Sequence, residues 1–285
     1  VDVVVLDGPM GTELGRRGVP TPLPRWSAAA NEDAPDVVAA IHRDYVRAGA
    51  TVHTANTFRT KRRTLGEAWE RLMLRAIEIV RGAVPADHRV AGSIAPLEDC
   101  YRPDLSPGAG SRAEHRELAR ALVSAGVDLL LCETFPHVGE ALVAVEEAVA
   151  TGAPTWLALT AGPDASLLTP AELAKAAREA SRRGACAVLV NCVPADRTLA
   201  YVEALANADL GIPIGAYANA GRPDDRVGWR ALDEAPKEAA ARYAAHARRW
   251  IDAGAAIVGS CCGTGPAHIA ALARLAGGGI AGPRG

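Results

Sequence analysis

The 285-residue chain predicts one α/β domain, a single (β/α)8 TIM barrel over residues 1–276. Three observations carry that expectation. Helix-like stretches repeatedly end in a glycine that leads straight into an apolar run, at Gly49, Gly126, Gly152, Gly184 and Gly254. Glycine just past a helix end adopts the left-handed conformation at no steric cost. The runs that follow are short and apolar throughout, as parallel strands buried on both faces require. About eight such runs alternate with helices, and no Gly-x-Gly-x-x-Gly follows the first, which disfavours an open dinucleotide-binding sheet.

In chain order, strands are expected over 3–7, 51–56, 89–94, 127–133, 154–160, 186–192, 212–218 and 255–261. Amphipathic helices lie between them. Over 34–48, Val37, Val38, Ile41 and Tyr45 share one face; over 236–252, Tyr243, Ala247, Trp250 and Ile251 do the same. Two helix starts carry capping-box patterns, Ser111 with Glu114 and Thr169 with Glu172. Stretches 15–33, 95–111 and 219–234 read as long loops rich in Pro, Gly or charge. The tail 277–285 reads as disordered.

Composition narrows the function. Hydrophobic residues make up 49% of the chain, enough for a large core, and the formal net charge is −2 with no basic stripe. This argues against nucleic acid or an anionic membrane surface as the main partner. No apolar run approaches the roughly 20 residues of a membrane span. The opening run of Val1 to Leu6 is too short for a signal peptide and lacks a basic leader. Six cysteines in a chain this long do not make a disulfide scaffold. Metal or catalytic use in a reducing cytoplasm is the expectation. Oligomeric state stays open.

The most informative segment is the pair Cys261–Cys262, with an apolar strand before it and a helix start after it. Two thiolates on one tight turn can hold a soft metal ion, and Cys192 offers a third thiol at another strand end. Three thiolates with an open fourth position describe a catalytic zinc site rather than a structural one. Other polar residues also collect at strand ends: Asp7, Asn56 and Thr57, Ser93, Glu133 and Thr134, Asn191, Tyr217 and Asn219. In a barrel these ends share one mouth. Glu133 closes the apolar run Leu129 to Cys132, where an unpaired carboxylate is costly. Cys132 and Cys186 are expected in the core, and Cys100 in a loop without a partner. His42, His115, His137, His246 and His268 fall in helices or at their starts, and His53 reads as a satisfied core residue. None has metal-ligand spacing.

Seven segments occur in order over nearly the whole chain: Asp7 to Leu14, Ala55 to Phe58, Gly92 to Pro96, Glu133 to Pro136, Asn191–Cys192, Tyr217 to Gly221 and Gly259 to Thr264. Together they resemble the homocysteine S-methyltransferase family, zinc-dependent barrel enzymes that methylate homocysteine to methionine. Ser260 stands where the family usually has glycine, which leaves the cysteines untouched. The resemblance implies Zn2+ bound by Cys192, Cys261 and Cys262. It implies that Asp7 and Glu133 take the homocysteine amino group, and that Asn219 fills the zinc's fourth position until substrate arrives. Thr57, Ser93 and Trp26 join the expected substrate-binding set. The partners are then small molecules, homocysteine and a methyl donor. A chain of this length leaves no room for folate and cobalamin modules. Arg59 and Thr134 stand where the betaine-using branch places tyrosines, so a sulfonium donor is expected, S-methylmethionine or S-adenosylmethionine. Betaine as donor, another small thiol or a selenol as acceptor, a zinc hydrolase, and a non-catalytic zinc-binding protein are the alternatives.

Overall fold

The computed structural model describes residues 2–223, 229–230 and 235–277. Eight parallel strands appear where the eight apolar runs predict them: β1 (Val4–Val5), β2 (Val52–Thr54), β3 (Arg89–Ile94), β4 (Leu129–Phe135), β5 (Thr155–Leu159), β6 (Ala187–Pro194), β7 (Ile214–Asn219) and, after a short pair, β10 (Ile257–Ser260). The short pair, β8 (Arg222–Pro223) and β9 (Trp229–Arg230), is antiparallel and sits inside the stretch expected to be a loop. The rest of that stretch, 224–228 and 231–234, lies outside the described residues, as do 278–285 of the expected tail. Gly277, placed in the tail by sequence, instead ends the last helix, Pro266–Gly277.

The sheet runs in the order β1-β10-β7-β6-β5-β4-β3-β2. A parallel bridge between Leu6 and Val52 brings the two outer strands together and closes the barrel. Closure leaves no sheet edge to solvate. Alternation along the strands makes two cores. Leu6, Val52, Leu129, Leu131, Trp156, Leu189, Tyr217 and Ile257 fill the interior. Val5, Val90, Leu130, Cys132, Leu157, Val188 and Val258 face the helices.

Helix faces follow the sequence pattern. In Pro35–Ala48, Val38, Ile41 and Tyr45 are buried and Val37 is half-buried; in Pro236–Asp252, Tyr243, Ala247 and Trp250 are buried and Ile251 is half-buried. All five glycines at helix ends have positive φ. At Gly49 a Cβ would also meet the Ala273 side chain at 2.6 Å. Thr169 and Glu172 form the reciprocal capping box. Ser111 does not cap. It continues a 3-10 turn in the helical region, and its hydroxyl donates to the Gly108 carbonyl at 2.6 Å. Its expected partner Glu114 is taken by Arg63. Cys132 is in the core as expected, but Cys186 is exposed. It lies just before β6, on the rim where the chain leaves Gly184, and its thiol reaches the Thr155 carbonyl at 3.3 Å. Among the described residues no helix is long and apolar enough to cross a membrane.

One polar cluster lies between strands and helices. His42 and His53 are fully buried, edge to face with centroids 6.5 Å apart. His53 stacks on His88, with Nε2 to Nδ1 at 3.0 Å. Neither ring nitrogen of His42, nor Nδ1 of His53, has a hydrogen-bond partner among the described residues. Burial pushes His42 down to about 3, with His53 adding to it, and burial together with His88 pushes His53 down to about 4. Both are neutral in the native state at pH 5, whereas the unfolded chain protonates them below about pH 6.5. Their contribution to stability is therefore full above about pH 6.5 and is lost as pH falls toward those native values. Each group adds a slope of up to about 1.4 kcal/mol per pH unit in that window. Urea unfolding at pH 7 and pH 5 should show this loss, and His42→Leu should flatten it by about one group's share. An unchanged acid slope in the variant would show that His42 ionises equally in both states.

Candidate functional site

The C-terminal ends of the strands make one mouth, and two irregularities decide what points into it. Along β4 the alternation is regular up to Cys132, with Leu129 and Leu131 inward and Leu130 and Cys132 outward. Pairing with β5 then slips between Cys132 and Phe135. Glu133 and Thr134 both line the central cavity, and Phe135 returns to the outer core. β6 does the same between Asn191 and Pro194. Strict alternation would send Cys192 outward after Val190; the slip turns it into the cavity and sends Val193 out. Thr134 and Cys192 sit at φ 62° and 52°, a conformation that disfavours any side chain. Each extra residue re-aims a side chain at some local cost, as bulges beside active sites commonly do. Asn191 Nδ2 donates to Thr134 Oγ1 at 2.7 Å and ties the two slips together.

Cys192 thus meets Cys261 and Cys262. Their three sulfurs lie within 4.8 Å of one another, with Cys192 and Cys261 Sγ 2.8 Å apart. The turn carrying the pair is pinned from several sides. Cys261 N–H donates to the Ala218 carbonyl at 2.8 Å, and Ala220 N–H donates to the Cys262 carbonyl at 2.9 Å. Thr12 Oγ1 accepts from Gly263 N–H at 3.1 Å, and Arg16, held by Glu13, donates to the Gly263 and Thr264 carbonyls. The Cys262 thiol is held well below the usual range by hydrogen bonds from Cys192 and then Cys261. Cys261 is pushed well above it, first by its contact with Cys192 and then by Cys262 and burial. One thiolate is stable here alone; three need a cation. Sulfurs sharing a tetrahedral zinc stand roughly 3.8 Å apart, given Zn–S bonds of about 2.3 Å. The spread of this cluster brackets that value, so the donor set fits a soft divalent ion.

Two carboxylates face the same cavity, which holds about 130 Å³. Asp7, 4% exposed, accepts from Thr54 N–H at 2.9 Å. Glu133, 9% exposed, accepts from Ser93 Oγ and, at 2.9 Å, from the Tyr217 hydroxyl. Burial pushes Asp7 well above the carboxylate range despite the Thr54 N–H, and raises Glu133 despite Ser93 and Tyr217. Neither makes an ion pair among the described residues. Thr57 and Ser93 are fully buried behind the wall: Thr57 Oγ1 accepts from Ser93 N–H at 2.9 Å and donates to its carbonyl at 3.0 Å. Asn219, 1% exposed, ends β7 beside Pro194, and neither atom of its amide group has a partner among the described residues. Trp26 lines the cavity edge-on to Phe58, with centroids 5.9 Å apart.

The structure adds residues that sequence reasoning left aside. Tyr217 holds Glu133, although only its place in a strand-end segment hinted at it. Cys100, expected to be a bystander, lines the cavity with Tyr101, because the stretch after β3 folds across the mouth. Burial pushes the Cys100 thiol up to about 12. Asp7 also comes within 4.8 Å of ring nitrogens of His42 and His53, a grouping that no sequence spacing announced.

Comparison with known proteins gives the family. The homocysteine S-methyltransferase family model matches residues 4–276. The homocysteine S-methyltransferase of Escherichia coli is 31% identical over 298 residues, spanning 95% of this chain and 94% of that protein. An S-methylmethionine–homocysteine S-methyltransferase of Pongo abelii is 29% identical, over 96% of this chain and 78% of its own length. The solved metallated form of the homocysteine methyltransferase MmuM of Escherichia coli superposes with a TM-score of 0.80 at 28% identity, covering 96% of each chain. Matched by the family model from residue 4 to 276, and 31% identical to a relative over 95% of its own length, the chain belongs to the homocysteine S-methyltransferase family of enzymes.

Proposed function

We propose that this enzyme moves a methyl group from a sulfonium donor, S-methylmethionine or S-adenosylmethionine, to the thiol of L-homocysteine, giving L-methionine, at a zinc ion held by Cys192, Cys261 and Cys262. One observation carries the reading: three thiols share a small cavity with two buried carboxylates that have no protein cation. Such a site is suited to two cations. A divalent ion suits the thiols and a substrate ammonium suits the carboxylates. Hard cations prefer oxygen ligands, so an all-sulfur set favours zinc over magnesium or calcium. Zinc bound by three thiolates supplies a soft centre that deprotonates a thiol and leaves its sulfur electron-rich.

The chain's own residues do the rest. Asp7 and Glu133 grip the homocysteine ammonium, and each such charge-assisted hydrogen bond contributes roughly 1.5–3 kcal/mol. Ser93 and Tyr217 fix the Glu133 carboxylate, and Thr57 fixes the Ser93 backbone. The ammonium anchor aims the thiol at the cysteine cluster, and this orientation accounts for much of the rate enhancement. Asn219 offers a partnerless side-chain oxygen beside the strand that carries Cys192, suited to the fourth position before substrate binds. Trp26 closes the donor side. The acceptor sulfur attacks the methyl carbon in line. Its new S–C bond forms as the donor's C–S⁺ bond breaks, and that electron pair leaves with the donor sulfur as a neutral thioether. The thiol proton departs to solvent when homocysteine binds.

A second reading keeps betaine as donor. Trp26, Phe58, Tyr101 and Tyr217 all line the cavity, a richer aromatic wall than the neighbours of Phe58 and Glu133 suggest. Aromatic faces suit sulfonium and quaternary ammonium cations alike. Similarity to the S-methylmethionine–homocysteine S-methyltransferase of Pongo abelii favours S-methylmethionine. Supplying homocysteine with each methyl-labelled donor in turn and following labelled methionine tests the choice. S-methylmethionine should turn over fastest. Faster turnover of betaine than of either sulfonium would reverse the donor assignment.

Metal analysis of the purified protein should find about one zinc per chain, with three sulfurs and one lighter atom at the zinc edge by X-ray absorption. Cys261→Ser should lose most zinc and activity while keeping the far-ultraviolet circular dichroism of the barrel. A four-sulfur site without substrate would count against Asn219. Asp7→Asn and Glu133→Gln should each lower kcat/KM for homocysteine about tenfold or more, with less change in donor KM. Unchanged homocysteine kinetics in both variants would remove the ammonium assignment.

A further inference from the structure

Of the charged side chains that line the cavity, Asp7 and Glu133 are acidic and one is cationic. Arg59, in the turn after Phe58, is the single Lys or Arg among the described residues that line it. It is half-buried, and its buried Nε has no hydrogen-bond partner among the described residues. Its guanidinium rests on Phe58, with Cζ 5.8 Å from the ring centroid, and Phe58 in turn packs edge-on to Trp26. That ledge orients the guanidinium without consuming its donors. The next arginines along the chain behave differently. Arg62 pairs with Glu117, and Arg63 with Glu98 and Glu114. A cation left unpaired in a cavity that already holds carboxylates is set apart for an anion from outside. Its planar fork suits a carboxylate.

Two substrates could bring that carboxylate. Homocysteine carries its own on the carbon that bears the ammonium, so it must lie next to Asp7 and Glu133. A guanidinium in that position would pair with one of the two, and Arg59 pairs with neither. Arg59 belongs instead with the Phe58–Trp26 pair of the lining. We propose that Arg59 binds the carboxylate of the methyl donor and restricts the enzyme to donors that carry an onium centre and a carboxylate in one small molecule. This inference rests on the methyl-transfer reading above and deepens it. Phe58 and Trp26 face the onium end while the fork holds the other, so the methyl group is presented toward the cysteine cluster by a two-point grip.

The test uses zinc-loaded wild type, Arg59→Gln and Arg59→Lys, with S-methylmethionine and with its carboxamide, which keeps the sulfonium but not the carboxylate. Wild type should favour S-methylmethionine over the amide by about tenfold or more in kcat/KM. Arg59→Gln should raise KM for S-methylmethionine about tenfold, leave KM for homocysteine within about twofold, and erase the preference between acid and amide. Arg59→Lys should recover part of the loss, since it keeps the charge but not the fork. Unchanged zinc content and thermal unfolding in Arg59→Gln confirm that the variant is folded. If wild type uses no sulfonium but turns over betaine, the donor reading fails, and the same variants are compared with betaine and tetramethylammonium. An acid-to-amide or betaine-to-tetramethylammonium preference that survives Arg59→Gln overturns the proposal. So does a rise in homocysteine KM in place of donor KM.

Discussion

Everything at the mouth depends on closure of the parallel sheet. β1 is two residues long, yet with Leu6 it joins β10 on one side to Val52 on the other. Because all eight strands of that sheet run the same way, their C-terminal ends fall on one rim. Residues as far apart as Asp7, Glu133, Cys192 and Cys261 then share a cavity without any local contact along the chain. The interior core from Leu131 to Ile257 holds the rim in place from below, so polar residues above it rest on a packed floor.

On that frame, two slipped registers bring Thr134 and Cys192 inward. Both residues take a backbone conformation that natural chains normally reserve for glycine, and both keep side chains there that line the cavity. The cost of order 1–3 kcal/mol for each strained residue is borne by the surrounding strands, which are hydrogen-bonded on both sides. The Asn191–Thr134 contact couples the two slips, so the position of Cys192 follows that of its neighbour on β4. The Cys261–Cys262 turn is fixed independently, by Arg16, Thr12 and the ends of β7. The thiol cluster thus forms where two separately supported segments meet.

The electrostatics of the mouth run against the stability of the free protein. Burial drives Asp7 and Glu133 upward with no ion-paired protein cation to offset it, and the thiols' contacts with one another, with burial, keep all three from ionising together. Binding sites commonly carry such unbalanced charge, because the missing partner arrives with the ligand. The same logic explains why one unpaired arginine, resting on Phe58, stands apart from its ion-paired neighbours Arg62 and Arg63.

Much of this was legible in the sequence because it is periodic or local. Eight apolar runs gave eight strands, five glycines gave five left-handed helix ends, and Thr169 with Glu172 gave a real capping box. The strand-end residues Asp7, Glu133, Cys192, Cys261 and Cys262 were visible for the same reason: each breaks an apolar pattern at a predictable place. Tertiary structure alone decided the rest. Ser111 lost its cap because a 3-10 turn and Arg63 claimed both partners, and Cys186 came out exposed because it falls on the rim rather than inside the strand. Thr57 and Ser93 stand behind Glu133 rather than at the cavity wall, while Tyr101 and Cys100 reach that wall from a loop without periodicity. Alternation told which residues of β6 face inward only until the register slipped, and a slip depends on pairing with β5 and β7. A chain encodes its local periods in itself, but which side chain a strand presents at its end is settled by the neighbours that hydrogen-bond to it.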